Sequence, residues 1–275
     1  LRFIGLCHEI KSMNRQLPDL METEMHNIEY RAAGLNHLSI LLEARYKNTG
    51  KDGYPIIKQN FDAYFSDLVN KHDAKPSKPG AERGVFRKLF KTYGYLPITT
   101  DSHLGEYIQW AYSVADHDAI LDFYDNYKEK CLAFYDNKTS YDHYFDLNNL
   151  DTHERVVPII EGILSDSAYE EPAINIPNNG YIECLPKDIV VEVPGIINKS
   201  GISGISFKNY PAAFGSLLNS QSGVIQMTTD AVLNASKHSA YLALLADPVV
   251  NDSYQAEKLL NNMLETQSKF LYYLK

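Results

Sequence analysis

The chain has 275 residues, 44% hydrophobic and 22% charged, with a formal net charge of -9 and a pI near 5.5. This balance excludes disordered, collagen-like and coiled-coil classes, and the acidic surface argues against a nucleic-acid partner, which needs clustered Lys and Arg. No apolar run reaches the ~18–20 residues that span a bilayer, no secretory signal is recognisable, and three irregularly spaced cysteines do not make a disulfide framework, so a cytoplasmic protein with reduced thiols and no membrane partner is expected.

In chain order, Leu1 to Leu6 reads as a strand that begins with no polar lead-in, as if excised from something longer. A helix is predicted after Cys7, stopped by Pro18. Two strands follow over 28–34 and 38–46, with Asn36-His37 between them and a Gly-rich turn at 48–53. Pro55 opens a helix to residue 70, residues 71–84 form a surface loop, and a helix over 85–93 ends at Gly94. A helix through Trp110 begins near Thr100 or Asp101. The next, over 115–135, carries Ile120, Leu121, Phe123, Tyr124 and Tyr127, an aromatic density that reads as core packing. A helix over 154–164 is expected to bend at Pro158. Residues 174–202 form a β-region with Asn-Gly turns. One helix ending before Pro248 and another from Asp252 close what is expected to be a single α+β domain, a mixed or antiparallel sheet packed with long helices.

Four groups of residues could carry chemistry. Cys7 and His37, at the ends of neighbouring strands, offer a thiolate and an imidazole to a transition-metal ion, although a buried Cys often simply packs. His8 and Glu9 beside Cys7 could instead cap or solvate the start of the helix. Asp101 and His103 could act as base and orienting partner, or Asp101 could cap a helix. Asn178-Asn179-Gly180 is a hairpin former whose amides could also meet sugar hydroxyls. His238 reads as a satisfied core histidine in mid-helix. No dinucleotide fingerprint, phosphate-binding loop or nucleophile elbow occurs in these residues, so no cofactor-binding residue is assigned to the chain.

Taken in order, IGLCHE, AAGLNHLSILLEARY, YGYLPITTDSHLGEY, NIPNNGYIECLPKDIVVEVPGIINKSGI and LLADP resemble glycoside hydrolase family 4, the NAD- and divalent-metal-dependent glycosidases. The resemblance covers nearly the whole chain. It implies a two-domain protein whose N-terminal NAD-binding Rossmann domain is absent here, this chain being the C-terminal catalytic and metal-binding domain, similar in fold to the C-terminal part of lactate and malate dehydrogenases.

The family departs from the two-carboxylate scheme of most glycosidases. The resemblance implies oxidation at C3 of the sugar by NAD, proton removal at C2, elimination of the glycosidic oxygen, addition of water and return of the hydride. It places Mn2+ or a similar ion on Cys7 and His37, and sugar contacts on Asn36, with Asn179 and His8 as further substrate-binding candidates. It implies a base within the segment holding Asp101, with Tyr95 and His103 behind it. Cys7-His8 matches relatives that act on non-phosphorylated α-glucosides, α-galactosides or α-uronides. A homo-oligomer is expected, and no turnover from this chain alone. The competing readings are a sugar dehydrogenase that releases its keto product and a non-catalytic oligomerisation module.

Overall fold

The computed structural model describes residues 3–7, 9–71, 83–115, 117–136 and 155–275. Its sheet grows from the two stretches with the clearest strand pattern. β1 (Ile28–Leu35) and β2 (Leu38–Tyr46) pair antiparallel from Ile28↔Tyr46 to Leu35↔Leu38, across a turn made only of Asn36 and His37. β3 (Pro97–Ile98) adds to β2. On the other side β5 (Val190–Asn198) meets β1 at Gly34↔Glu192, and β4 (Tyr169–Pro177) and β6 (Gly201–Gly204) both pair with β5. The order is β3-β2-β1-β5-β4, with β6 on β5 and every pairing of these strands antiparallel.

Apolar periodicity decides which helix faces close over the sheet. α2 (Tyr54–Lys71) buries Ile57, Phe61 and Phe65 at intervals of four, and α3 (Gly84–Tyr93) answers with Phe86 and Phe90. The rings of Phe61, Phe65, Phe86 and Phe90 pack with centroids 4.1–6.2 Å apart. Burying each such ring is worth about 1.5–3 kcal/mol. Gly94 stops α3 at φ 78°, its N–H returning to the Phe90 carbonyl at 2.8 Å, as the sequence predicts. α1 (Met13–Leu20) buries Met13, Leu17 and Leu20 in the same core. α7 (Ala212–Leu233) adds Phe214 and Leu218, and Tyr210 just before it donates to the Ala33 carbonyl at 2.9 Å.

Several expectations are corrected. Residues 3–6 form no strand; only Gly5 bridges, to Asn175 of β4. α1 runs through Pro18 to Leu20, because Leu17, Leu20 and Met21 are held in the core on either side of the missing N–H. α4 (Asp101–Tyr107) stops before Trp110, which lies in a 3-10 turn over Gln109–Ser113. α5 (His117–Asp136) leaves Leu121, Phe123, Tyr124 and Tyr127 exposed rather than in the core. Pro158 falls in the first turn of α6 (Val156–Ser165), where no N–H partner is lost.

The helix expected to end before Pro248 is two helices, α7 and α8 (Lys237–Ala246). They are parted at Ala235, which takes φ 51°, and α8 is capped by Ser236, whose hydroxyl accepts the Ser239 N–H at 3.1 Å. His238 is therefore an exposed residue near a helix start, not a core histidine. α9 (Ser253–Thr266) and α10 (Ser268–Leu271) divide the last predicted helix at Gln267. Most of the predicted loop over 71–84 lies outside the described residues. No helix among the described residues is long and apolar enough to cross a membrane.

Candidate metal centre

The β1–β2 turn builds one side of the site. Asn36 is exposed, and His37 sits in the left-handed region at φ 59°, a conformation that His tolerates better than bulkier residues but that still costs free energy. The other side is the segment before α1. Gly5 exchanges both backbone hydrogen bonds with Asn175 (3.0 and 2.8 Å), which hangs this segment on the edge of β4 and carries Cys7 toward the turn. Cys7 Sγ then lies 3.1 Å from His37 Nε2. The two residues singled out from sequence as a pair are direct neighbours here, although Cys7 reaches His37 from a loop and not from a strand end.

Two more groups join them. His103 of α4 packs edge-on against His37, with ring centroids 4.4 Å apart, and its Nδ1 lies 3.6 Å from Glu106. Ligand atoms of Glu9, His37 and His103 all lie within 4.8 Å of one another. Neighbouring donors around an ion with bonds of ~2.0–2.3 Å stand roughly 3–4 Å apart, which that upper limit accommodates for the two imidazoles and the carboxylate, while the Cys7 thiol stands outside this set and adjoins it through His37.

The sequence reading left Glu9 to the helix start. Glu9 does stand at the N-cap position of the 3-10 turn Ile10–Ser12, but it makes no side-chain cap there and also faces His37.

Glu192 was not foreseen. On β5 it is 0% exposed, burial pushes its carboxyl up to about 8, the nearby Cys7 adds to that rise, and His37 opposes it. The only trace in the sequence is a single acidic residue inside the apolar run of β5, where a buried strand rarely carries a charge.

The remaining candidates are placed differently. Asp101 is 0% exposed and caps α3, not its own helix. One carboxylate oxygen accepts the Val85 N–H and the other the Phe86 N–H, both at 2.9 Å. Burial raises its pKa against the pull of those two donors. Asp101 is thus a helix cap, for the preceding helix 15–16 residues back in the chain.

Tyr95 packs against Tyr54 and lines a separate polar cavity with Glu43, Arg45 and Lys58. Asn179 and Gly180 have φ of 43° and 89°, the exposed corner of a tight turn closed by Tyr181 N–H to the Asn178 carbonyl at 2.7 Å. That turn opens a loop between β4 and β5 that Asn178 ties together from inside, through bonds to Ile182, Leu185 and Pro186. Asn36 lines a mostly apolar cavity of about 430 Å³ together with Tyr107, Asp188, Gln221 and Gln226. His8 lies outside the described residues.

The C-terminal domain of the family 4 glycosyl hydrolases matches residues 32–250. The chain belongs to glycoside hydrolase family 4. It is 39% identical over its whole length to an α-glucosidase of Erwinia rhapontici, of which it spans 64%. It is 28% identical over 90% of its length to an α-galactosidase of Bacillus subtilis (strain 168), of which it spans 56%. A crystal structure of a 6-phospho-α-glucosidase from gut microorganisms, in complex with NAD and Mn2+, superposes on 98% of this chain with a TM-score of 0.76 at 19% identity, and the chain spans 61% of that protein. The α+β architecture is therefore the family's.

Proposed function

We propose that this chain is the metal- and sugar-binding part of a family 4 glycosidase that cleaves non-phosphorylated α-glucosides, α-galactosides or α-uronides. In this reading, NAD is held mainly by residues outside the chain. The observation that carries it is the Cys7–His37 pair at 3.1 Å with His103 and Glu9 around it, in a chain 39% identical to an α-glucosidase. When bound, a divalent ion such as Mn2+ would supply a Lewis acid for a sugar oxygen, and NAD+ would take up a hydride from the sugar and return it.

The chain's own residues then have definable tasks. Cys7, as the thiolate, and His37 hold the ion, and the fixed two-residue turn keeps the imidazole in place. A working thiolate needs a reducing compartment, which favours the cytoplasm. Asn36, beside His37 on the rim of the cavity, offers its amide to sugar hydroxyls. The proton-transfer role falls to His103 rather than to Asp101 or Tyr95. His103 is partly open and touches His37, whereas both carboxylate oxygens of Asp101 are engaged by backbone N–H groups and Tyr95 faces another cavity. Glu106, 3.6 Å from His103 Nδ1, orients that ring.

The test is hydrolysis of a nitrophenyl α-glucoside by the intact protein that carries this chain together with its NAD-binding residues, with and without NAD+, Mn2+ and chelator. Strict dependence on both, a slower reaction with substrate deuterated at C2, and loss of activity in Cys7→Ser are expected. Turnover that survives chelation and removal of NAD+ would sink the proposal.

A further inference from the structure

Three backbone pairings run end to end beneath the site: Gly5 opposite Asn175, Asn175 opposite Glu192, and Glu192 opposite Gly34. Directly opposed residues of antiparallel strands project to the same face, so Asn175 and Glu192 stand side by side on one surface of the sheet. Glycines close the row at both ends. A Cβ on Gly5 would come 2.9 Å from the Asn175 Cβ, and one on Gly34 would lie 2.4 Å from the Leu38 carbonyl oxygen, so neither end admits a side chain. Cys7 follows Gly5 by two residues and His37 follows Gly34 by three. The pair is thus reached from the two ends of a row whose centre is Glu192.

The carboxyl of Glu192 lacks what a buried carboxyl needs. Oε1 has one long contact, 3.5 Å, from Asn175 Nδ2, and Oε2 is buried with no hydrogen-bond partner among the described residues. No Lys or Arg among the described residues forms an ion pair with it. The other groups that act on it electrostatically are Cys7, His37 and Glu9. An uncompensated carboxyl in such a place opposes folding, and Gln or Leu would fit the same strand at less cost.

We propose that Glu192 is a positioning residue for the divalent ion held by Cys7 and His37. One thiolate leaves such an ion with one positive charge in excess, and the buried carboxylate of Glu192 shares the balancing of it with Glu9 and steers the ion to the sheet side of the cluster. This rests on the reading of Cys7 and His37 as ligands.

The experiment measures Mn2+ binding to the purified protein by calorimetry, and the thiolate-to-metal charge-transfer band of the Co2+ form, for wild type, Cys7→Ser, Glu192→Gln and Glu192→Asp. Glu192→Gln is expected to melt at the same temperature as the metal-free wild type or higher, and to bind Mn2+ at least tenfold more weakly with a shifted Co2+ band. Glu192→Asp is expected to recover part of the affinity. A Glu192→Gln protein with wild-type affinity overturns the proposal, as does one that is destabilised without a change in affinity. If Glu192→Gln fails to fold, Glu192→Asp decides: an affinity below wild type supports the role, and an unchanged one overturns it. Should Cys7→Ser bind Mn2+ as tightly as wild type, the ligand reading itself falls. Loss of binding in Cys7→Ser with none in Glu192→Gln removes only this inference.

Discussion

His37 pays for its position in the turn with a left-handed backbone, at about 1–3 kcal/mol by the usual scale of such strain. The imidazole and the conformation can be separated. His37→Asn, which tolerates φ > 0, is expected to unfold in urea within about 0.5 kcal/mol of wild type while losing metal affinity. His37→Val, β-branched, is expected to lose a further 1–2 kcal/mol or so. Equal stability of the two variants would show that the turn relaxes.

Glu192 and Asp101 govern the pH dependence at this scale. Both carboxyls have folded-state values raised above the ordinary carboxylate range, chiefly by burial, so across the raised window the folded protein binds more protons than the unfolded chain. Stability must then fall as pH rises. For Glu192 the window runs from its ordinary value of 4.5 to about 8, with Cys7, His37, Glu9 and Asn175 facing the group. The melting temperature of metal-free protein is expected to decline over this range and to decline less in Glu192→Gln; identical slopes would contradict the assignment.

Among elements, the joint between α6 and β4 rests on Arg155 at the start of the helix. Its Nε lies 2.7 and 2.9 Å from the two oxygens of Glu171, which is only 3% exposed. Arg31 instead makes a true fork to Glu170, Nε to one oxygen at 2.9 Å and Nη2 to the other at 2.8 Å, but there both partners are about one-third exposed. The two pairs differ in energy, because removing a partner from a buried carboxylate strands a charge whereas an exposed pair is replaced by water. Arg155→Met is expected to cost about 3 kcal/mol and Arg31→Met no more than about 1, both read from urea midpoints. The element scale also shows where sequence legibility stopped. The pattern of β1 and β2 and the Gly94 stop were readable because each depends on residues within a few positions. The break at Ala235 and the passage of α1 through Pro18 were not, since each is decided by what the rest of the fold holds on either side.

For the whole molecule, α5 exposes apolar side chains that remain to be accounted for. Leu121, Tyr127 and Tyr135 are 59–68% exposed in a helix whose sequence pattern reads as core, and Leu164 of α6 is 81% exposed. Apolar side chains in such positions are what a contact with another protein surface would cover, and the homo-oligomer expected from the sequence is the partner to test. Leu121→Glu with Tyr127→Glu is expected to shift the protein to a smaller species in light scattering without lowering its melting temperature; an unchanged mass would assign that face to something else.

By itself the sequence determined the family, the α+β class, the two strands that flank Asn36-His37, and Cys7 with His37 as the residues to watch. These follow from local patterns and from motifs in a given order. Only the tertiary structure decided that Asp101 caps α3, that His103 and Glu9 gather at His37, and that Glu192 stands buried behind the pair. Each of those facts depends on the pairing register of β1, β4 and β5 or on the packing of α3 against α4. Register sets which distant residues become neighbours, and no short stretch of chain encodes it.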